Sequence, residues 1–242
     1  MNSCFEKVFV ISFNFRLSSY NGACDEYQTM MLEHKALNGW PLFLLIAALT
    51  FATMLTGLLL IGVATPEASV QLIILSVQLA SPWIFIAFAT SPLHQLFPST
   101  VSHWLVRNRR YTALSFAVGF GWQAVFIAVL LSLYPAYYWD VLHDPFDLTA
   151  RIASYVLLIA MTVTSFFPVR LKMRPAHWRW LHLVGVWYFW AAIWLSYAPA
   201  AFLSEPKAIH LVYTVAGLMV LLLRIAAYFK SRVNRSVKPT AV

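Results

Sequence analysis

Residues 164–190 carry the sequence TSFFPVRLKMRPAHWRWLHLVGVWYFW. The stretch leaves one apolar segment, crosses a short connection that contains Arg170, Lys172 and Arg174, and enters a second apolar segment. Short basic connections of this kind are typical of the cytoplasmic loops of membrane proteins. We therefore expect the chain to cross a bilayer more than once. An ionisable side chain inside such a segment is costly and marks a candidate functional site, and His182 lies in the second segment.

The composition of the whole chain supports this expectation. Of its 242 residues, 61% are hydrophobic and 11% are charged, whereas soluble domains have about 25% charged residues. A hydrocarbon core of about 30 Å requires roughly 20 apolar residues per crossing. Segments of that length lie near residues 40–63, 69–91, 110–134, 148–168, 177–198 and 208–229. The predicted fold is all-α, an integral membrane six-helix bundle.

The charges of the connections predict the orientation. Basic residues occur in alternate connections and after the last segment, namely Arg107, Arg109, Arg110, Arg170, Lys172, Arg174, Lys230, Arg232, Arg235 and Lys238. Acidic residues occur in the other connections, namely Glu67, Asp140, Asp144, Asp147 and Glu205. Because cytoplasmic loops carry the positive excess, both termini are predicted to be cytoplasmic, in a bacterial-type inner membrane. The net charge of +8 then follows from topology and gives no reason to expect nucleic acid; the expected partner is the lipid bilayer.

The chain divides into three predicted regions. Residues 1–38 form a cytoplasmic N-terminal extension, 39–229 the six-span domain, and 230–242 a basic cytoplasmic tail. Met30 and Met31 precede LEHKALNGW, a more typical beginning for a membrane protein, so a misassigned start is one expectation for the extension. The connections are too short for a soluble domain, and no G-x-G-x-x-G follows a predicted strand, so no flavin or nicotinamide site is expected.

Three motifs together resemble the ferric reductase-like transmembrane domain family, whose members include membrane haem subunits of bacterial reductase systems. They are RNRRY at residues 107–111, TSFFPVR at 164–170, and W-x-x-LH ending at His182, with SPLHQLFP at 91–98 as further support. The resemblance covers roughly residues 40–229. It implies a six-helix bundle that holds b haem between the third and fifth helices, with histidines as axial ligands.

The resemblance identifies one candidate haem ligand, but this chain lacks histidine at the family's other ligand positions. His182 falls on the family's W-x-x-LH histidine and is the candidate ligand to haem iron. On the third helix, the positions of the family's histidines are Phe120 and Gln123, and on the fifth helix the second histidine position falls at 195–197, which reads Leu-Ser-Tyr. Phenylalanine and glutamine do not replace an axial imidazole. The outer haem site is therefore predicted to be lost.

Other residues are candidates for completing a site around His182. His94 is the nearest histidine by depth and is predicted to lie in a loop, whereas His210 lies too far across the bilayer. Arg109 and Arg110 are candidates for contacts with haem propionates or a quinone head group. Their alternative role is to set the topology.

His182 also has an alternative role. A polar side chain in a membrane helix can hydrogen-bond to a neighbouring helix and fix the packing of the bundle. Thr162 and Ser115 are candidate partners for that bond.

Three functions remain open from the sequence. The first is a transmembrane electron-transfer subunit with one b haem or none, which would need a separate redox partner protein or a quinone. The second is a non-catalytic membrane scaffold or interaction subunit that has lost haem. The third is a small-solute permease that uses Arg151, Gln123 and Arg224 as polar stations.

Overall fold

The computed structural model describes residues 32–142, 145–202 and 207–237, and within these ranges all regular structure is helical. The six long helices are α1 (Gly39–Ile61), α2 (Pro66–Leu96), α3 (Thr100–Leu133), α4 (Pro145–Thr164), α5 (Pro175–Phe202) and α6 (Ala208–Val237). The shorter elements are a 3-10 turn (Lys35–Leu37), two short helical segments (Pro135–Tyr137 and Phe167–Lys172) and a π-helical segment (Tyr138–Leu142). The predicted extension lies mostly outside the described residues.

Five of the long helices, α1, α2, α3, α5 and α6, are long and apolar enough to cross a membrane, which indicates a multi-pass membrane protein. The apolar part of α4, Leu148–Thr164, is shorter. The fourth span was predicted to reach residue 168, but Phe166 has extended backbone and a separate short helix begins at Phe167. Proline is well placed in the first turn of a new helix, and Pro168 occupies that position. A sixth crossing and the cytoplasmic orientation of the termini stay predictions.

The connection between α2 and α3 is much shorter than predicted. It contains only Phe97 to Ser99, because α2 continues through Pro92 to Leu96 and α3 begins at Thr100. The expectation that His94 lies in a loop is therefore wrong, since His94 is in the last turn of α2. Ser99 and Ser102 form a capping box at the start of α3, which satisfies backbone N–H groups that the apolar pattern does not account for.

Helix α2 is the centre of the bundle and contacts α1, α3, α5 and α6. Its closest approach is to α3, where a Cβ atom on Gly119 would lie 2.7 Å from the Cβ of Ala80. Small residues permit this approach, which is how helices in lipid gain packing energy. Beside this contact lies an aromatic core in which Phe116 and Phe120 of α3 pack on Phe189 of α5.

The starts of α1, α3 and α5 and the ends of α2, α4 and α6 lie together, at what we call the basic end of the bundle. The indole of Trp178 in α5 donates to the carbonyl of Thr164 in α4, over 3.1 Å. The ammonium of Lys230 in α6 donates to the carbonyl of Gln95 in α2, over 2.9 Å. Since α6 continues to Val237, the first part of the predicted tail is helical.

The start of α1 is fixed to α3 by a fully buried amide. The Oδ1 of Asn108 accepts from the backbone N–H of Gly39 over 2.8 Å, and its Nδ2 donates to the Oδ1 of Asn38 over 3.0 Å. Gly39 has φ 68°, a backbone conformation that favours glycine. These contacts position the third helix, and with it the arginines described below.

Candidate functional site

A cavity of about 420 Å³ lies at the basic end of the bundle. We call it the arginine cavity. Its cationic and imidazole side chains come from α3, α5, α6 and the short helix after α4, and they are Arg109, Arg110, Arg170, Arg179, Arg224 and His182. Among the described residues that line it, none is an aspartate or a glutamate. The structure thus brings His182, Arg109 and Arg110, all named from the sequence, to one place.

Two of these arginines follow one another on α3. The Nη1 of Arg109 donates to the hydroxyl of Ser91 in α2, over 3.2 Å. The guanidinium of Arg110 lies over the rings of Trp40 and Phe166, 5.5 and 5.6 Å from their centres. Its Nε is buried and has no hydrogen-bond partner among the described residues. A buried N–H without an acceptor is costly.

Arg224 is the cation that α6 contributes. Its Nη1 donates to the carbonyl of Phe88 over 3.3 Å, and its guanidinium lies 4.3 Å from the centre of the Phe88 ring. The ring of Trp187 is 5.1 Å away. Two aromatic faces therefore hold the charge at the cavity wall without a carboxylate.

The remaining two arginines are exposed and stand toward the cytoplasmic side of the predicted topology. Arg170 lies 4.4 Å from the centre of the Trp178 ring, and the Nε of Arg179 donates to the carbonyl of Pro175 over 3.3 Å. Arg179 was not predicted from the sequence, and Arg170 was predicted only to set the topology. Arg179 precedes His182 by three positions on α5, so the helical spacing was a usable signal.

His182 makes a hydrogen bond between helices. Its Nε2 lies 3.3 Å from the Oγ1 of Thr164 in α4, and its ring lies against Trp178 at 4.6 Å. The Oγ1 of Thr164 also lies 2.6 Å from the carbonyl oxygen of Ala160, so this threonine joins His182 of α5 to the backbone of α4. The alternative role of His182 is therefore present, with Thr164 in place of Thr162 or Ser115.

His94 does not line the arginine cavity. Its ring lies 4.5 Å from that of His103, and its Nδ1 is 3.4 Å from the hydroxyl of Ser102. The structure thus brings the two histidines together at the α2–α3 connection and leaves His182 without a histidine partner in the cavity. No group of three or more potential metal ligands of the His, Cys, Asp or Glu type occurs in the described parts of the chain.

At the family's third-helix histidine positions, the space between α3 and α5 is filled by aromatic side chains. Phe116 and Phe120 pack on Phe189 with ring centres 4.9 and 5.5 Å apart, and all three are nearly fully buried. Gln123 accepts a hydrogen bond from the hydroxyl of Tyr155 over 3.3 Å. Side chains that pack on one another leave no slot for a porphyrin at the family's third-helix histidine positions.

The polar residues that the permease hypothesis requires, Arg151, Gln123 and Arg224, also lie apart from one another. Arg151 donates to the hydroxyl of Tyr138 over 3.3 Å, and Gln123 is engaged with Tyr155. Neither lines the arginine cavity, where Arg224 lies. The three residues do not form a common path.

The arginine cavity concentrates positive charge. Like charges repel across a low-dielectric site, and an anion offsets that repulsion while accepting charge-assisted hydrogen bonds. Guanidinium groups also match the planar or tetrahedral oxygens of carboxylates and phosphates. The arrangement is suited to binding an anion.

Comparisons with known proteins place the chain in no family: no family model, no curated protein and no solved structure matches it.

Proposed function

We propose that this multi-pass membrane protein binds an anionic ligand in the arginine cavity. The observation that carries the proposal is the convergence of five arginines on one cavity, with no carboxylate among its lining residues in the part of the chain that the structure describes. By the positive-inside rule the basic end faces the cytoplasm, so the ligand reaches the cavity from the cytoplasmic solution or leaflet.

A membrane protein that binds an anion in this way belongs with the binding or scaffold proteins, the second of the three functions considered from the sequence. We also propose that the chain shares its ancestry with ferric reductase-like domains, because of the motifs at residues 107–111, 164–170 and 178–182. Phe120 and Gln123 at the family's haem positions, and the hydrogen bond between His182 and Thr164, favour a member without haem. A quinone or a redox partner protein would be needed only if the chain bound haem and transferred electrons.

The anion site can be tested with inorganic pyrophosphate. We expect pyrophosphate to raise the melting temperature of the delipidated, detergent-purified protein to a saturating value, because a ligand that binds only the folded state stabilises it. Arg109→Gln should weaken this response at least tenfold, since a hydrogen bond to a charged group contributes about 1.5–3 kcal/mol. Differential scanning fluorimetry measures both effects.

Arg107→Gln is the matched control, because Arg107 lies on the same helix, is exposed and donates to the carbonyl of Leu32 instead of lining the cavity. It removes the same charge and should leave the pyrophosphate response within twofold of wild type. If the two variants lose the pyrophosphate-induced rise in melting temperature equally, that rise depends only on the net charge of the protein, and the site is refuted.

The absence of haem is tested by spectroscopy. The reduced-minus-oxidised spectrum of the purified protein, with haem supplied during expression, is expected to lack b-type Soret and α bands. His182→Ala should give the same flat spectrum. A b-type spectrum in wild type that disappears in His182→Ala would overturn the proposed loss of haem and favour the electron-transfer subunit.

A further inference from the structure

A smaller cavity of about 30 Å³ adjoins the arginine cavity between α2, α3, α4 and α5. We call it the inner cavity. The walls of the two cavities have several residues in common, namely Ala87, Ala113, Met161, Ser165, His182 and Val186. No arginine is among the described residues that line the inner cavity. A ligand held by the arginines therefore has the inner cavity beside it.

The inner cavity lies deeper in the bundle than the arginine cavity. On each of the four helices its wall extends three positions farther from the basic end, from Ala87 to Ile84, Ala113 to Phe116, Met161 to Leu158 and Val186 to Phe189. Three residues of an α-helix correspond to about 4.5 Å. The two cavities together thus have cations toward the basic end and none at the end that lies within the bundle.

The wall of the inner cavity is mainly apolar. Its apolar residues that are nearly fully buried are Ile84, Leu114, Phe116, Leu158 and Phe189. Two of its polar side chains already have partners within the protein. The hydroxyl of Ser165 donates to the carbonyl of Met161 over 2.7 Å, and His182 bonds to Thr164. An alkyl group fills such a cavity more favourably than a hydroxyl group, which would lose its hydrogen bonds to water.

The size of the inner cavity limits what it can hold. Its 30 Å³ is about the volume that one molecule occupies in liquid water, so it accepts only the end of a short chain. Beyond it, Phe116 and Phe120 pack on Phe189. A long chain therefore has no room to continue between these rings.

We infer that the ligand of the arginine cavity is an oxyanion that carries a short alkyl chain, with the oxyanion among the arginines and the chain directed into the inner cavity. The inference rests on the proposed function and names the class of its ligand. Arg109 and Arg224 supply charge-assisted hydrogen bonds to the oxyanion. The apolar wall one turn deeper supplies contacts that an inorganic anion cannot make.

Two phosphates of equal charge and equal carbon number test the inference. They are propyl phosphate and glycerol 3-phosphate, whose chain carries two hydroxyl groups. Isothermal titration of the delipidated wild type should show at least fivefold tighter binding of propyl phosphate, because burial of each methylene group favours binding by about fourfold. Equal affinities for the two phosphates would overturn the inference.

Leu158→Phe is designed to fill the inner cavity, because Leu158 lines that cavity and not the arginine cavity. The two phosphates should then bind with affinities within about twofold of each other, since the chain can no longer be buried. Pyrophosphate, which has no chain, should bind as it does to wild type. Ile159→Phe is the matched control, since Ile159 is the next residue of α4, is 61% exposed and lines neither cavity. It should keep the preference for propyl phosphate.

Pyrophosphate separates the two proposals. If pyrophosphate binds but wild type does not prefer propyl phosphate, or if Leu158→Phe keeps that preference, the inference is overturned and the anion site stands. If wild type binds neither pyrophosphate nor propyl phosphate, both proposals are refuted.

Leu158→Ala serves if Leu158→Phe does not fold. It enlarges the inner cavity, so the affinity for pentyl phosphate relative to propyl phosphate should rise at least threefold over wild type. An unchanged ratio would overturn the inference.

Discussion

Arg224→Gln is expected to weaken the binding of pyrophosphate by at least tenfold. Arg224 lines the arginine cavity, and none of the described residues that line this cavity is an acid that would compete for its charge. A charge-assisted hydrogen bond of about 1.5–3 kcal/mol corresponds to roughly a tenfold to a hundredfold change in affinity. Titration with pyrophosphate, followed by differential scanning fluorimetry, measures the loss.

One further variant separates the charge of Arg224 from the shape of its side chain, and another is a control for the loss of a positive charge elsewhere. Arg224→Lys keeps the charge but loses the planar group that lies over Phe88 and Trp187, so an intermediate affinity is expected. Arg151→Gln removes one positive charge on α4 away from the arginine cavity and should leave binding unchanged. An Arg224→Gln protein that binds pyrophosphate as wild type does would show that Arg224 is not part of the anion site.

The second large effect is expected on stability, from Gly119→Ala. The added Cβ would lie 2.7 Å from the Cβ of Ala80 and 3.0 Å from its Cα, so the backbone of α2 would have to move. Overpacking of this kind costs about 1–3 kcal/mol. Thermal unfolding in detergent, followed by circular dichroism, should show a clear decrease in the melting temperature.

Gly121→Ala provides the control on the same helix, because a Cβ at Gly121 meets nothing within 4 Å. Alanine is the better helix former by about 0.5–1 kcal/mol, so this variant should be as stable as wild type or slightly more stable. If both variants have the same melting temperature, the close contact between α2 and α3 does not contribute measurably to the stability of the bundle.

Hydropathy predicted the existence of the helices better than their ends. The apolar pattern of α3 begins near residue 110, but the helix begins at Thr100. Intrahelical hydrogen bonds form whether side chains are apolar or charged, so a helix continues beyond the part that the bilayer requires. The capping pair Ser99 and Ser102 was a local signal for this start.

The site was predicted only in part. His182, Arg109 and Arg110 were named from the motifs, and the structure places them around one cavity. The approach of α6 that brings Arg224 beside Phe88 could not be predicted, because packing between distant segments leaves no local pattern. The depth of His94 did not indicate its neighbours, and its ring faces His103.

Isothermal titration of the delipidated protein with pyrophosphate tests the central claim, that the arginine cavity is an anion site. One saturable site per chain is predicted for wild type and for Arg107→Gln, with affinity at least tenfold lower in Arg224→Gln. The absence of saturable binding in wild type, or the same affinity in all three proteins, would contradict it.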